Sequence, residues 1–192
     1  KRKFKLIWKM INLNIDKEFF GKKIIITGAS RGLGAVLCKA LAERGAKLVM
    51  LSRSIKEMNN LKKTLKNSPN HMTVSVDLTN NKKILYAIKK AKKFLKNIDI
   101  VIHVAGGGLG LKNSLINNED LIKLFQINLG AAAEINRIIV KEKPKKTVLK
   151  LIHVGSTASN EAIGSVGYNV VKSALAGYVK SLGRQLIKNK VI

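Results

Sequence analysis

One cysteine, Cys38, stands in the whole chain of 192 residues. No internal disulfide can form, and a reducing, cytoplasmic setting is expected. The only prolines, Pro69 and Pro144, each fall in an expected connection, so the chain has no proline-rich linker. No apolar run approaches the roughly 18 residues that span a bilayer. Acidic residues are scarce, 11 Asp plus Glu against 37 Lys plus Arg, for a formal charge of +26. Such a balance suits nucleic acid or an anionic membrane. Two further shortages point elsewhere: only 6 of the basic residues are Arg, the other 31 being Lys, and aromatics make up 5%. A surface selected for nucleic acid uses arginine for bidentate contacts and aromatics for stacking. With Ile and Asn also abundant, we read the charge as the codon bias of an AT-rich genome and expect no nucleic-acid partner.

What the chain does have is a 46% hydrophobic content, enough to bury one sizeable core in a single domain. Apolar, β-branched runs at Ile24 to Thr27, Lys47 to Leu51, Thr73 to Val76, Asp99 to Val104 and Thr147 to Val154 read as strands, each followed by helical periodicity. After the first run, Val36, Leu37, Ala40 and Leu41 are expected on one helix face. Between the third and fourth runs Ile84, Ile88, Ala91 and Leu95 make a stripe, with Lys82, Lys83, Lys89, Lys90, Lys92 and Lys93 mostly on the solvated side. Continuously apolar strands joined by helices predict an α/β fold, a doubly wound parallel sheet of Rossmann type, over residues 21–192. Residues 1–20 form a basic N-terminal extension. Phe4, Ile7, Trp8 and Ile11 recur there at helical spacing among lysines; we read it as a helix or tail packed on the domain rather than as a membrane-surface anchor.

The first strand runs into Thr27-Gly28-Ala29-Ser30-Arg31-Gly32-Leu33-Gly34, which opens the first helix. Such a turn binds a dinucleotide: Gly28 permits the tight exit, Gly32 the approach of pyrophosphate, and Gly34 the close packing of helix on strand. The second strand ends Leu51-Ser52-Arg53-Ser54 with no Asp or Glu to hold a ribose 2′-hydroxyl. Arg31 in the glycine turn and Arg53, with the hydroxyls of Ser52 and Ser54, suit a 2′-phosphate instead, so NADP(H) is expected over NAD(H). Tyr168-Asn169-Val170-Val171-Lys172 places a phenol and an ammonium on one helix face. A neighbouring cation favours the phenolate, which makes such a pair a proton donor and acceptor for carbonyl chemistry. Upstream, Ile152-His153-Val154-Gly155-Ser156 puts a hydroxyl at a strand's C-terminal end, with Thr157 and Ser159 as nearby alternatives. His103 is read as a buried, hydrogen-bonded structural residue. No metal site is read.

With its glycine spacing and its Tyr-x-x-x-Lys pair, the chain resembles the short-chain dehydrogenase/reductases from about Gly21 to Ile192. The resemblance implies adenine contact at Asp77 and Leu78, and close approach of the nicotinamide ribose at Ala105 and Gly106. It implies a proton path through Asn128, a hydrogen bond from Ser156 to the substrate oxygen, and Lys172 holding the ribose beside Tyr168 as general acid/base. The chain departs from the family pattern at His103-Val104, where relatives carry two Asn, and in a loop one residue shorter between Ser156 and Tyr168. The implied activity is hydride transfer to or from a small carbonyl or alcohol substrate. A dimer or tetramer is implied through the fourth and fifth helices, with Ile135, Ile138 and Ile139 as candidate contacts. The resemblance also implies a chain cut before its substrate-binding segment, leaving apolar surface at the fifth strand exposed. The other readings are a sugar-nucleotide epimerase or dehydratase, whose glycine spacing differs, and a non-catalytic Rossmann-like binding module.

Overall fold

A computed structural model describes residues 18–192; the proposed N-terminal amphipathic helix with Phe4, Ile7, Trp8 and Ile11 lies outside them. Five parallel strands, β1 (Lys23–Thr27), β2 (Lys47–Ser52), β3 (Met72–Ser75), β4 (Ile100–His103) and β5 (Lys150–His153), form one sheet in the order β3-β2-β1-β4-β5. Five helical segments follow or separate them: α1 (Gly32–Glu43), α2 (Ile55–Thr64), α3 (Asn81–Leu95), α4 (Asn118–Phe125) and α5 (Ala131–Lys141), and α6 (Val166–Leu186) comes after β5. The strand order reverses between β1 and β4, so the crevice at their C-terminal ends is where a doubly wound sheet takes its ligand.

The apolar strands are apolar because both faces are covered. Ile24, Ile26, Leu48, Met50, Ile100 and Ile102 pack under α1 and α2, while Ile25, Val49, Leu51 and Val101 pack under α3 and α5. The α3 stripe is buried as expected, with Ala87 added, and Asn80 caps the helix by accepting a hydrogen bond from Lys83 N–H. On α1 the buried face is Gly34, Cys38, Leu41 and Ala42, and Val36 is 61% exposed. The expected stripe was rotated because Gly34 and Cys38, which a hydropathy pattern undervalues, are the residues small enough to meet the sheet. Ile135, Ile138 and Ile139 are likewise core residues of α5, buried under the sheet, and so are corrected as candidates for contact between subunits. Val148 and Ile152, beside and within β5, are nearly half exposed. On that side Val191 lies parallel to Leu149, which donates to Lys190 O and accepts from Ile192 N.

Candidate active site

Elements from both halves of the chain meet at the switch point. Thr27, the last residue of β1, is fully buried, and its hydroxyl accepts from Val104 N–H at 3.1 Å and Ala105 N–H at 3.2 Å. That single side chain ties the glycine turn to the loop leaving β4. In the turn Gly28 has φ +67°, and a Cβ on Gly34 would stand 2.2 Å from Gly28 O. No other residue fits at position 34 while α1 stays seated on the turn. The helix carries no side-chain cap and no acidic residue in its first turn, and Arg31, Gly32 and Leu33 are exposed. Its leading N–H groups are therefore open to an anion, which is the condition a pyrophosphate needs. Ser52 Oγ donates to Ser30 Oγ at 2.9 Å, joining the end of β2 to the turn, and Ser75 Oγ holds the backbone carbonyl of Arg53 at 3.1 Å.

Asp77 lies just past β3. Its carboxylate accepts from Thr79 N–H and Thr79 Oγ1, and these bonds hold it below the usual carboxylate range. Leu78 is buried and lines, with Thr27, His103 and Ala105, a cavity of about 10 Å³ beneath the loop. The side chain of Leu78 therefore belongs to the core, and only its backbone remains available to a nucleotide.

The fourth helix of the sequence reading proves to be α4 and α5 joined by a π turn over Gln126–Gly130. Asn128 sits in that widened turn, where helices often carry functional side chains. Its Nδ2 donates to Leu124 O at 2.9 Å and to Gly107 O at 3.0 Å, and its Oδ1 accepts from Gly107 N–H at 2.9 Å. The amide thus grips the glycine loop after β4 by both backbone groups of Gly107. A Cβ on Gly106 would come 2.7 Å from Asn128 Oδ1 and 3.8 Å from Lys172 Nζ. Lys172 is only 6% exposed; its Nζ donates to Val154 O at 3.0 Å and lies 5.6 Å from the centre of the Tyr168 ring. Burial pulls the ammonium's pKa down. A Cβ on Gly108 would in turn lie 4.0 Å from Cδ2 of Tyr168.

The structure therefore brings Gly106, Gly107, Gly108, Asn128, Tyr168 and Lys172 into one cluster. Ser156 follows β5 and caps a short turn over Thr157–Ser159, its Oγ accepting from Ala158 N–H at 3.2 Å. Of the two alternatives, Ser159 donates its hydroxyl to Ser156 O and accepts at its carbonyl from Ser173 of α6, so it serves the backbone, while Thr157 is exposed. The hydroxyl hydrogen of Ser156 has no acceptor among the described residues.

Sequence reasoning missed a second layer. His103 is buried as expected, and its ring stacks on that of His153, centroids 4.5 Å apart. Asn136 Oδ1 accepts from His103 Nε2 at 2.8 Å, and Asn136 Nδ2 donates to His153 Nε2 at 3.3 Å and to Tyr178 Oη at 3.1 Å. Burial, then the facing His153, push His103 down to about 3; burial, then Lys172, push His153 down to about 4. Both imidazoles are neutral. The only sequence signal was the pair of histidines at equivalent strand ends, one register step from the loops they precede.

Known proteins resemble this chain in sequence and fold. The family model described as short chain dehydrogenase matches residues 22–192. The chain is 25% identical over 171 residues to carbonyl reductase family member 4 of Xenopus laevis, covering 88% of this chain and 71% of that protein. Two solved structures share the fold. The 3-ketoacyl-(acyl-carrier-protein) reductase of Brucella melitensis complexed with NADH has a TM-score of 0.81 and 20% identity, over 91% of this chain and 73% of its own. The L-sorbose reductase of Gluconobacter frateurii with NADPH and L-sorbose has a TM-score of 0.82 and 22% identity, over 91% and 68%. With the match running through the glycine turn, the Asn128 turn and the Tyr168 helix alike, the chain belongs to the short-chain dehydrogenase family of oxidoreductases.

Proposed function

We propose that the protein is an NADP(H)-dependent oxidoreductase that interconverts a carbonyl and an alcohol, with Tyr168 as general acid/base. The observation that carries this reading is the convergence of the Gly106 loop, Asn128, Lys172 and Tyr168 from three separate elements. When bound, a nicotinamide dinucleotide supplies or accepts the hydride at the substrate carbon. The open start of α1 would hold the pyrophosphate, and Arg31 and Arg53, with the linked Ser30 and Ser52 hydroxyls, would hold the ribose and its 2′-phosphate. With no carboxylate at the end of β2, a 2′-phosphate meets two guanidinium groups and no repulsion. Lys172 would hold the nicotinamide ribose, and Asn128 fixes the Gly107 backbone of the loop beside it. Asp77, through its carboxylate, and Leu78, through its backbone, would contact the adenine, and Ala105 and Gly106 would allow the nicotinamide half to approach.

In reduction, Tyr168 Oη gives its proton to the substrate oxygen, and the free hydroxyl hydrogen of Ser156 bonds the same oxygen. In oxidation the proton returns to Tyr168. Lys172 Nζ stands 5.6 Å from the centre of the ring that exchanges this proton. The substrate is a small carbonyl or alcohol compound, as the names of the carbonyl, ketoacyl and sorbose reductases suggest.

Self-association through α4 and α6 belongs to the same proposal. These helices pack against each other, and each shows two apolar side chains one turn apart to solvent: Ile122 and Phe125 on α4, Val166 and Val170 on α6. These replace the buried Ile135, Ile138 and Ile139 as contacts.

Titration with NADPH and NADH, followed by nicotinamide fluorescence, tests the cofactor. Tighter binding of NADPH, lost in Arg53→Asp while NADH binding holds, is expected; a tenfold preference for NADH in the unaltered protein would overturn the NADP(H) reading. Binding of neither dinucleotide by folded protein would remove the oxidoreductase reading of this site.

A further inference from the structure

The four residues of the buried polar cluster stand on the four elements that carry the site. His103 ends β4, whose next residues form the Ala105-Gly106-Gly107 loop, and His153 ends β5, three residues before Ser156. Asn136 is on α5, continuous through the π turn with Asn128, and Tyr178 is on α6, six residues after Lys172. One carboxamide bonds to all the others. We propose that Asn136 is a positioning residue that locks the nicotinamide-side elements β4, β5, α5 and α6 into one arrangement. This inference rests on the functional reading above.

Its chemistry is forced by donor and acceptor identity. Carboxamide oxygen can only accept, so His103 must carry its proton on Nε2. Carboxamide nitrogen can only donate, so His153 Nε2 must be bare, and a neutral His153 then carries its proton on Nδ1. Asn136 therefore specifies two different tautomers in two stacked rings, and its second N–H goes to the Tyr178 hydroxyl. All of its hydrogen-bonding groups are used, and it is 2% exposed. No apolar residue could join the four elements, and neither Gln nor Asp reproduces both the reach and the pattern. The groups that face the imidazoles are each other, Tyr178 Oη from α6 and the Lys172 ammonium, also from α6. Lys172 reaches the same strand end through Val154 O, the residue after His153. A shift of β5 against α6 would thus move the ammonium and Ser156 together. The glycine turn with Arg31 joins β1 to α1, Arg53 follows β2, and none of them shares a hydrogen bond with Asn136.

The consequence is a split between the halves of the dinucleotide. In Asn136→Leu, binding of the preferred dinucleotide should weaken about tenfold, because misplacement on the order of an ångström is felt at that level or more. Binding of its adenosine half, 2′,5′-ADP or ADP, should remain unchanged. Tyr178→Phe removes one bond without opening a cavity and should give a smaller loss of the same kind. Nitrogen-15 spectra of the three histidines should show His103 as the Nε2–H and His153 as the Nδ1–H tautomer at neutral pH, and both signatures should be lost in Asn136→Leu. Reduction of acetoacetyl-CoA by the variants should show a fall in kcat with KM moved less. Equal losses for dinucleotide and adenosine half would reduce Asn136 to a general stability role and overturn the proposal, as would no loss of either. If the unaltered protein binds no dinucleotide, the functional reading fails with it, and the tautomer assignment then reports on the lock alone.

Discussion

Acid should destabilise this protein at a pH well above the range in which its carboxylates titrate. Folding depresses His103 to about 3 and His153 to about 4, against 6.5 for a free imidazole. The unfolded chain therefore binds protons that the native chain refuses. Stability from this source is whole above the unfolded value and is lost as pH falls toward the two native values. Between pH 7 and pH 5 the linkage relation gives about 2 kcal/mol for His103, which is fully buried. His153, which keeps part of its ring open to solvent, is discounted to about 1 kcal/mol. The sum, about 3 kcal/mol, is a large part of the 5–15 kcal/mol typical of a domain. His71 adds in the same direction: its Nδ1 accepts from Leu48 N–H and its Nε2 bonds Lys66 O, so it too is neutral, its pKa lowered by burial. Asp77, Asp120, Glu134 and Glu142 all have lowered pKa values and stay charged through this window. Urea unfolding at steps from pH 7 to pH 5 measures the slope. The stability difference should approach 3 kcal/mol and shrink by about 2 kcal/mol in His103→Asn. A change below about 1 kcal/mol in the unaltered protein would refute the burial of neutral imidazoles.

Gly34→Ala places a methyl group 2.2 Å from Gly28 O, so α1 must lift from the turn. Overpacking of about 3 kcal/mol should cost the protein roughly a hundredfold in dinucleotide affinity, measured by fluorescence titration, and unchanged affinity would show the turn is more compliant than its geometry. Phe125→Glu together with Val170→Glu should halve the mass found by sedimentation while the circular dichroism spectrum is retained. An unchanged mass would move any subunit contact away from α4 and α6.

The strands and their order of appearance were legible in the sequence because a parallel sheet covered on both faces demands unbroken apolar runs, a signal that neighbours cannot mimic. The glycine turn and the Tyr168 and Lys172 spacing were legible for a similar reason: backbone approach and i, i+4 projection are local geometry. Burial was less so. Val36 looks more hydrophobic than Gly34 and Cys38, yet the smaller pair is buried and Val36 is exposed, with Leu37 packed at the edge of the core, since the distance between helix and strand is set by what lies across it. Ile135, Ile138 and Ile139 could have faced a partner or the core, and only the packing of α5 under Ile25 and Val101 settles the matter. The π turn at Asn128 was invisible in periodicity, because a single widened turn shifts the helix phase without breaking it. Least legible was the lock around Asn136. His103, Asn136, His153 and Tyr178 are ordinary residues scattered over 76 positions, and their meaning arises when parallel pairing sets His103 beside His153 under two helices. Local chain geometry thus determined where the candidate site residues stand along the chain, while long-range packing decided which side chains meet around them.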